Sequence, residues 1–237
     1  MKIIVMSDSI HLPSGLGKVA RELALGLQKR GHEIGHIGWF HHPDIPPKQP
    51  EGMQCWFTNN GQYGADILDK VVNRFQPDVL LTIGDMWNLW YITDGSVCKT
   101  RRWFQWCSYI AVDGEPINGG LPPALVPIIE DVDIPVAYTE YARQAILKSV
   151  SDPETRRKIR TIYHGVDTNI FKPIDPAERR HLREKFGIGD RFMFLTVSRN
   201  QSRKNIPELL RSWKVFSELP EANDKVVLWP HMNFNDH

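Results

Sequence analysis

The sequence predicts an α/β protein with a Rossmann-like, doubly wound parallel sheet, followed by an incomplete second βαβ domain. Short apolar runs of β type alternate with helical patterns over most of the 237 residues, as in a mainly parallel sheet. The alternation restarts at Phe192 after a helical stretch, which predicts a second domain. We therefore expect an N-terminal domain over 1–172, a linker helix over 173–190 and the start of a second domain over 191–237.

The first three predicted elements form a βαβ unit. Ile3–Met6 is an apolar run typical of a strand buried on both faces. Lys18–Lys29 has apolar residues at helical spacing, and Gly31 ends that helix. Glu33–Phe40 then predicts the second strand.

The middle of the domain continues the alternation. His41–Gly61 is rich in Pro, Gly and Asn, which predicts an exposed loop with a short strand at Cys55–Phe57. Ala65–Phe75 predicts a helix, Val79–Ile83 a buried strand, and Arg102–Val112 contains an aromatic-rich strand.

Further elements complete the first domain and open the second. Thr139 is a predicted N-cap, because its hydroxyl precedes a helical pattern with Glu140 in the first turn. The predicted elements are helix Ala124–Glu130, strand Ile134–Tyr138, helix Ala142–Val150, strand Arg160–Tyr163, helix Asp175–Phe186, strand Phe192–Val197, helix Asn205–Phe216 and strand Lys225–Trp229.

Composition excludes several classes of protein. Lys and Arg total 29 against 28 Asp and Glu, so no global charge attracts nucleic acid or an anionic membrane. No apolar run approaches the roughly 18 residues that span a bilayer, and the short apolar start is not a signal peptide. We expect a cytoplasmic protein. Its three cysteines, Cys55, Cys98 and Cys107, are an odd number without C-x-x-C spacing, which disfavours a disulfide framework and a zinc site, so we expect reduced thiols.

A glycine loop, Ser14-Gly15-Leu16-Gly17, precedes the first helix and matches G-x-G-x-x-A through Ala20. A dinucleotide site is disfavoured because the loop does not follow its strand immediately and no acidic residue ends the second strand. A P-loop is disfavoured because no Ser or Thr follows Lys18. Two interpretations stay open: close backbone approach to a phosphate or sugar, or a turn that lets the helix pack on the sheet.

A basic segment separates the strand at Phe192–Val197 from the next helix. Ser198–Asn205 contains Arg199, Arg203 and Lys204. Helix N-termini offer free N–H groups and partial positive charge, so cations placed there predict a diphosphate site.

Four segments in this order resemble glycosyltransferase family 4. They are Ser14–Gly17 with Val19–Leu23, then Gly31–Ile34, then His164–Asp167 followed by Phe171–Pro173, and finally Arg199–Gln201 with Arg203–Asn205. The resemblance implies the GT-B architecture, with two Rossmann-like domains. It also implies transfer of a sugar from a nucleotide-diphosphate donor with retention of configuration and without an obligatory metal or cofactor.

The resemblance assigns roles to particular residues. Arg199 and Lys204 are expected to hold the donor diphosphate and stabilise the leaving group, with Asn200 and Asn205 in the same motif. Gly15 and Gly17 are expected substrate contacts. Asp113 is expected beside the sugar as a catalytic carboxylate, or else it forms a turn before Gly114. His164 either faces the cleft or is structural.

Other candidate site residues rest on position alone. Trp87, Trp90, Trp103 and Trp106 either stack on a sugar or acceptor ring or cover the sheet. Asp85, Glu115 and Asn118 lie on predicted strand-end loops, where open α/β sheets bind ligands. The acceptor class stays open among saccharide, lipid, protein and nucleic-acid base.

The chain departs from the family after the basic segment. The later pair of glutamates that grips the donor in such enzymes does not follow Lys204. We therefore expect impaired or absent transferase activity in this chain alone, and possible self-association that covers the incomplete second domain. The alternative is a non-catalytic binding module that keeps the N-domain fold.

Overall fold

The computed structural model describes residues 1–40, 50–59, 61–94 and 103–233. The chain forms two compact units, Met1–Gly165 and Val166–His237. The helix predicted as a linker lies within the second unit. Residues 41–49 and 60 of the predicted loop His41–Gly61, and Cys98, lie outside the described residues.

The first unit contains a seven-stranded parallel sheet with the order β3-β2-β1-β4-β5-β6-β7. All six strand pairings are parallel. The strands are β1 Lys2–Asp8, β2 Glu33–Trp39, β3 Gln54–Phe57, β4 Val79–Gly84, β5 Gln105–Ile110, β6 Ile134–Ala137 and β7 Arg160–Thr161. The strand order reverses direction between β1 and β4, which is the point where doubly wound sheets bind ligands.

Helices connect these strands. They are α1 Gly15–Lys29, α2 Leu68–Phe75, α3 Trp90–Asp94, α4 Val126–Glu130, α5 Glu140–Ser149 and α6 Pro153–Lys158, with short 3₁₀ turns at Met86–Asn88 and Pro123–Leu125. None of the helices in the described ranges is long and apolar enough to cross a membrane.

The side-chain alternation of β1 divides the core between the two faces of the sheet. Ile3 and Val5 pack with Ala20 and Ala24 of α1. Ile4 and Met6 belong to the opposite cluster, which includes Val71 and Val72 of α2 together with residues of α4 and α5. Since both faces are covered, the central strands are mostly apolar and do not alternate between buried and exposed residues.

The predicted fold class is confirmed, and several element boundaries are refined. Helix α1 begins at Gly15, three residues before the predicted start, because the Ser14 side chain accepts from Gly17 N–H. Thr139 caps α5 as predicted, by accepting from Ala142 N–H. Helices Trp90–Asp94 and Pro153–Lys158 were not predicted from the sequence.

The second unit contains two parallel strands, β8 Phe192–Val197 and β9 Val226–His231. Its helices are α7 Pro176–Lys185 and α8 Ile206–Ser217. Arg183 Nε donates to the Gly189 carbonyl at 2.8 Å, and the Phe186 and Trp229 rings meet edge to face at 5.6 Å. Large apolar side chains are exposed on both the sheet and the helix, including Phe192, Val197 and Val215. The self-association expected from the sequence stays a prediction.

Two of the three cysteines lie in the described residues. Cys55 and Cys107 are free and half-buried. Burial raises the pKa of each thiol to about 11, so both stay protonated at neutral pH and are weak nucleophiles.

Candidate functional site

The glycine loop is tied to the end of β1. Ser14 Oγ donates to Asp8 Oδ2 at 2.6 Å and accepts from Gly17 N–H at 3.0 Å. One hydroxyl therefore joins the carboxylate that ends β1 to the first turn of α1. This explains why a serine stands here, since it both caps the helix and fixes the loop.

The two glycines of the loop have different surroundings. A Cβ on Gly17 would lie 2.7 Å from the Ser9 carbonyl oxygen and 3.0 Å from the Leu12 carbonyl oxygen. A Cβ on Gly15 would meet nothing within 4 Å. Gly17 is thus required by packing, which was one of the two interpretations open at sequence level, whereas Gly15 leaves the exposed helix start accessible.

Three carboxylates stand at the carboxyl edge of the sheet. Asp8 ends β1, Asp85 follows β4, and Asp113 comes shortly after β5, and these three strands are neighbours. Burial raises the pKa of Asp85, and the negative charges of Asp113 and Asp8 raise it further. Asp85 therefore holds its proton more strongly than an ordinary aspartate, and it is a better proton acceptor when ionised.

A cleft of about 130 Å³ lies beside Asp85 and Asp113. Its remaining walls are mostly apolar and come from the segments that follow β4 and β5 and from α4. Trp87 lines it and is 55% exposed, so its ring is available at the opening. The cleft combines apolar walls with a few polar groups, as small-molecule sites do.

An aromatic cluster borders the same edge. The Tyr138 ring lies 4.1 Å from that of Tyr109 and 4.3 Å from that of His164. Within the described structure, the buried Tyr138 hydroxyl has no hydrogen-bond partner. Burial raises the pKa of Tyr138 above its usual range, and Tyr109, Asp85 and Asp8 add to that shift. Tyr138 is therefore a neutral hydroxyl close to the carboxylates, and His164 is held in place by ring packing.

The loop that carries Asp113 is fastened to α5. Glu115 Oε2 accepts from Gly120 N–H at 2.6 Å and pairs with Lys148 Nζ at 2.8 Å. Leu121 N–H donates to Ser149 Oγ at 2.6 Å. The hydrogen bond from Lys148 and that from the Gly120 amide lower the pKa of Glu115, so its carboxylate stays ionised at neutral pH. We call the contacts of Glu115 with Gly120 and Lys148 the clamp.

Removal of this clamp is expected to loosen the loop without unfolding the unit. In Glu115→Gln, exchange of the Gly120 amide should rise about tenfold, because the amide loses a charged acceptor. Lys148→Met is the matched control, since it removes the ammonium but keeps the Gly120 hydrogen bond. Hydrogen exchange followed by NMR measures both, and equal exchange rates in the two variants would contradict the assignment of the clamp to Glu115.

In the second unit, the basic segment lies between the end of β8 and the start of α8. Ser202–Lys204 form a 3₁₀ turn, and Asn205 adopts a left-handed φ of 47° directly before the helix. Arg199, Arg203, Lys204 and Asn205 are exposed. In the same segment, the buried Ser198 Oγ and Gln201 Oε1 find no hydrogen-bond partner among the described residues. The strand, cations and helix start therefore occur in the order that the sequence predicted.

The tryptophans divide into two groups. Trp106 is fully buried, and its Nε1 donates to Thr82 Oγ1 at 3.0 Å, so it belongs to the core and cannot stack on a ligand. Trp87, Trp90 and Trp103 are exposed. The spacing of these residues gives no sign of this difference, because only Trp106 lies within a strand of the sheet, whereas Trp87 lies in a turn, Trp90 in a short helix and Trp103 before β5.

Comparison with known proteins identifies the fold. No protein-family model and no curated protein sequence matches the chain. The catalytic domain of starch synthase IV from Arabidopsis thaliana, solved with ADP and acarbose, superposes with a TM-score of 0.59 at 14% identity, over 98% of this chain and 74% of that one. The solved structures that superpose on this chain have the GT-B fold.

Two further structures agree. MnaA from S. aureus, solved with UDP, has a TM-score of 0.54 at 15% identity, over 99% of this chain and 62% of that chain. A Listeria monocytogenes protein assigned as a UDP-N-acetylglucosamine 2-epimerase has a TM-score of 0.54 at 17% identity, over 99% of this chain and 63% of that chain. The chain thus spans less than two thirds of these two proteins. At identities this low, the superposition establishes a shared fold and nothing more.

The structure also brings forward residues that the sequence did not single out. Asp8 and Tyr138 were not candidates, and Asp85 was one only by its position. A signal was present, because a carboxylate stands at or directly after the ends of β1 and β4. It becomes interpretable only when the strand order places those ends side by side.

Proposed function

We propose that this chain is part of a retaining glycosyltransferase that uses a nucleotide-diphosphate sugar and needs no metal. The observation that carries the proposal is the basic segment, where Arg199, Arg203 and Lys204 stand between a parallel strand and the start of α8 in a GT-B-type fold. The starch synthase and MnaA neighbours, solved with ADP and UDP, support a nucleotide-sugar donor.

The proposed chemistry assigns a task to each group. Arg199 and Lys204 bind the diphosphate, and their fixed positive charge offsets the negative charge that grows on it as the glycosidic bond breaks. The N–H groups at the start of α8 add to this stabilisation. Asn200, Asn205 and the unpaired Ser198 and Gln201 oxygens supply further polar contacts.

In the first unit, the proposal assigns the acceptor to the acidic edge of the sheet. Asp113 orients the acceptor hydroxyl or balances positive charge on the sugar. Asp85 accepts the proton of the acceptor hydroxyl. The Gly15 and Gly17 backbones contribute contacts at the start of α1, and the lack of a side chain at Gly17 also shapes the loop. His164, packed on Tyr109 and Tyr138, lines this edge.

Lys204→Met is expected to weaken binding of UDP or ADP at least tenfold, because a charge-assisted contact to the diphosphate is lost. Lys214→Met is the matched control, since Lys214 is an exposed lysine in the last turn of the same helix α8. Isothermal titration of each variant with UDP and with ADP measures the effect. Equal affinities for the two variants, or no binding of either nucleotide to the parent chain, would contradict the proposal.

Turnover is tested separately from binding. The parent chain is incubated with UDP-glucose or ADP-glucose and a panel of acceptors, and the anomeric configuration of any product is read by proton NMR. An α-linked product supports retention, and a β-linked product overturns it. Because impaired or absent activity is expected of this chain, a lack of product does not contradict the proposal, whereas a lack of nucleotide binding favours the non-catalytic binding module.

A further inference from the structure

The cleft next to Asp85 and Asp113 has a size that restricts what it can hold. Its volume is about 130 Å³. A water molecule occupies about 30 Å³ of liquid, and an apolar protein cavity of about 150 Å³ binds benzene. The cleft is partly open to solvent, so the portion of a ligand that it can enclose is about the size of a benzene ring.

The chemistry of the walls restricts the ligand further. Met86, Ile110, Val112, Leu121 and Ile129 provide apolar surface, and the polar side-chain groups of the lining are the carboxylates of Asp85 and Asp113 and the indole N–H of Trp87. A sugar ring would place several hydroxyls against walls that offer them no partner, and such unpaired polar groups are unfavourable. A flat or aliphatic carbon skeleton can pack against the apolar walls, and a single hydroxyl on it can donate to one of the carboxylates.

Charge excludes another class of ligand. Asp8, Asp85 and Asp113 repel anions, so a phosphate or carboxylate group is disfavoured here. An ionised carboxylate only accepts hydrogen bonds, so a hydroxyl that donates to Asp85 or Asp113 is complementary. The exposed Trp87 ring at the opening adds an aromatic surface that a second ring can pack against.

We propose that this cleft binds a small phenol, with its ring against the apolar walls and its hydroxyl donating to Asp85 or Asp113. That the phenol serves as sugar acceptor rests on the proposed function, whereas its binding to the cleft does not. Such an acceptor, a small aromatic alcohol, differs from the four classes left open by the sequence, which were saccharide, lipid, protein and nucleic-acid base.

The backbone offers a clean way to block the cleft. Gly114 lines it, and a Cβ at this position would meet no atom within 4 Å, so a side chain can be added without a clash at the backbone. Gly114→Phe should therefore fill the opening while the unit stays folded. Ile117→Ser is the matched control, because Ile117 is fully exposed on the same loop and does not line the cleft.

Binding of 4-fluorophenol to the full chain is measured by fluorine NMR and by Trp fluorescence, without nucleotide. We expect saturable binding that falls at least tenfold in Gly114→Phe and changes less than twofold in Ile117→Ser. Asp85→Asn should weaken binding about fivefold, since a carboxylate accepts a hydrogen bond more strongly than an amide. Circular dichroism verifies that each variant is folded.

Three competing ligands decide the class. Methyl glucoside, benzylamine and benzoate are titrated in the same way, and tighter binding of any of them than of 4-fluorophenol overturns the proposal. So does phenol binding that Gly114→Phe leaves intact, or no phenol binding at all. Phenol binding in a chain that fails to bind UDP and ADP would keep this inference and overturn the proposed function.

Discussion

Gly17→Ala is expected to lower the free energy of unfolding of the first unit by about 3 kcal/mol, the upper end of the range for overpacked sites. The added methyl would lie 2.7 Å from one backbone carbonyl oxygen, of Ser9, and 3.0 Å from another, of Leu12. Backbone atoms cannot turn aside as a flexible side chain can. The loop that joins β1 to α1 would have to move as a whole.

That movement would reach the candidate site. The loop is fastened by Ser14, whose hydroxyl joins Gly17 N–H to Asp8. A displaced Gly17 weakens the cap of α1 and frees the Asp8 carboxylate, which influences the pKa of Asp85. Loss of stability and a change at the acidic edge should therefore occur together.

Gly15→Ala is the matched control for this prediction. Its Cβ has open space and its backbone does not need a positive φ, so stability should stay within about 0.5 kcal/mol or rise slightly, as alanine favours helix. Urea unfolding followed by circular dichroism measures both variants. If the two alanine variants unfold at the same urea concentration, the packing role given to Gly17 is wrong.

The second large effect is a loss of stability in mild acid caused by His36. This side chain is fully buried in β2. Its Nδ1 donates to the Val5 carbonyl at 2.9 Å, and its Nε2 accepts from Ile10 N–H at 3.2 Å. The ring is neutral in this arrangement, and it joins β2 to β1 and to the start of the glycine loop.

Burial lowers the pKa of His36 to about 4 from its ordinary value of 6.5, and His11 adds to the shift. Between these values the unfolded chain binds a proton that the folded chain excludes, so stability falls as pH decreases from 6.5 to 4. The total loss is roughly 3 kcal/mol. Above pH 6.5 this group has no effect on stability, because the ring is neutral in both states.

The free energy of unfolding, measured by urea titration between pH 4 and 7.5, tests this prediction. His36→Gln should flatten the slope, since glutamine stays neutral and keeps hydrogen-bonding capacity. His164→Gln is the control, because His164 is exposed and its pKa is lowered only by partial burial. An NMR titration of the parent chain that finds His36 titrating near 6.5 would contradict the prediction without any variant.

Local sequence patterns predicted most of the elements correctly, for reasons that are local. Strand β4 was recognisable because residues buried on both faces form an apolar run that only Thr82 interrupts. Helix α5 was recognisable because Thr139 accepts from an amide only three residues away. Helix α6 was not predicted because it has six residues without apolar periodicity, and its capping residue, Asp152, lies in a polar stretch.

The candidate site was predictable only in part. Arg199 and Lys204 could be proposed from the sequence because strand, cations and helix follow one another directly along the chain, and their diphosphate role stays a prediction. Asp8, Asp85 and Asp113 were not recognised as a group, because they come from separate parts of the chain that meet only in the sheet. His36 gave no signal, since an isolated histidine in a strand has the same appearance whether buried or exposed.

The sequence by itself thus determined the class of fold, the order of its elements, and the basic segment with its expected diphosphate role. Tertiary structure decided which carboxylates share one edge, which tryptophans are exposed, and which glycine is required by packing. The reason is the range of the forces involved. Helix caps and apolar periodicity act over a few neighbouring residues, whereas burial and charge coupling depend on residues that only the strand order brings together.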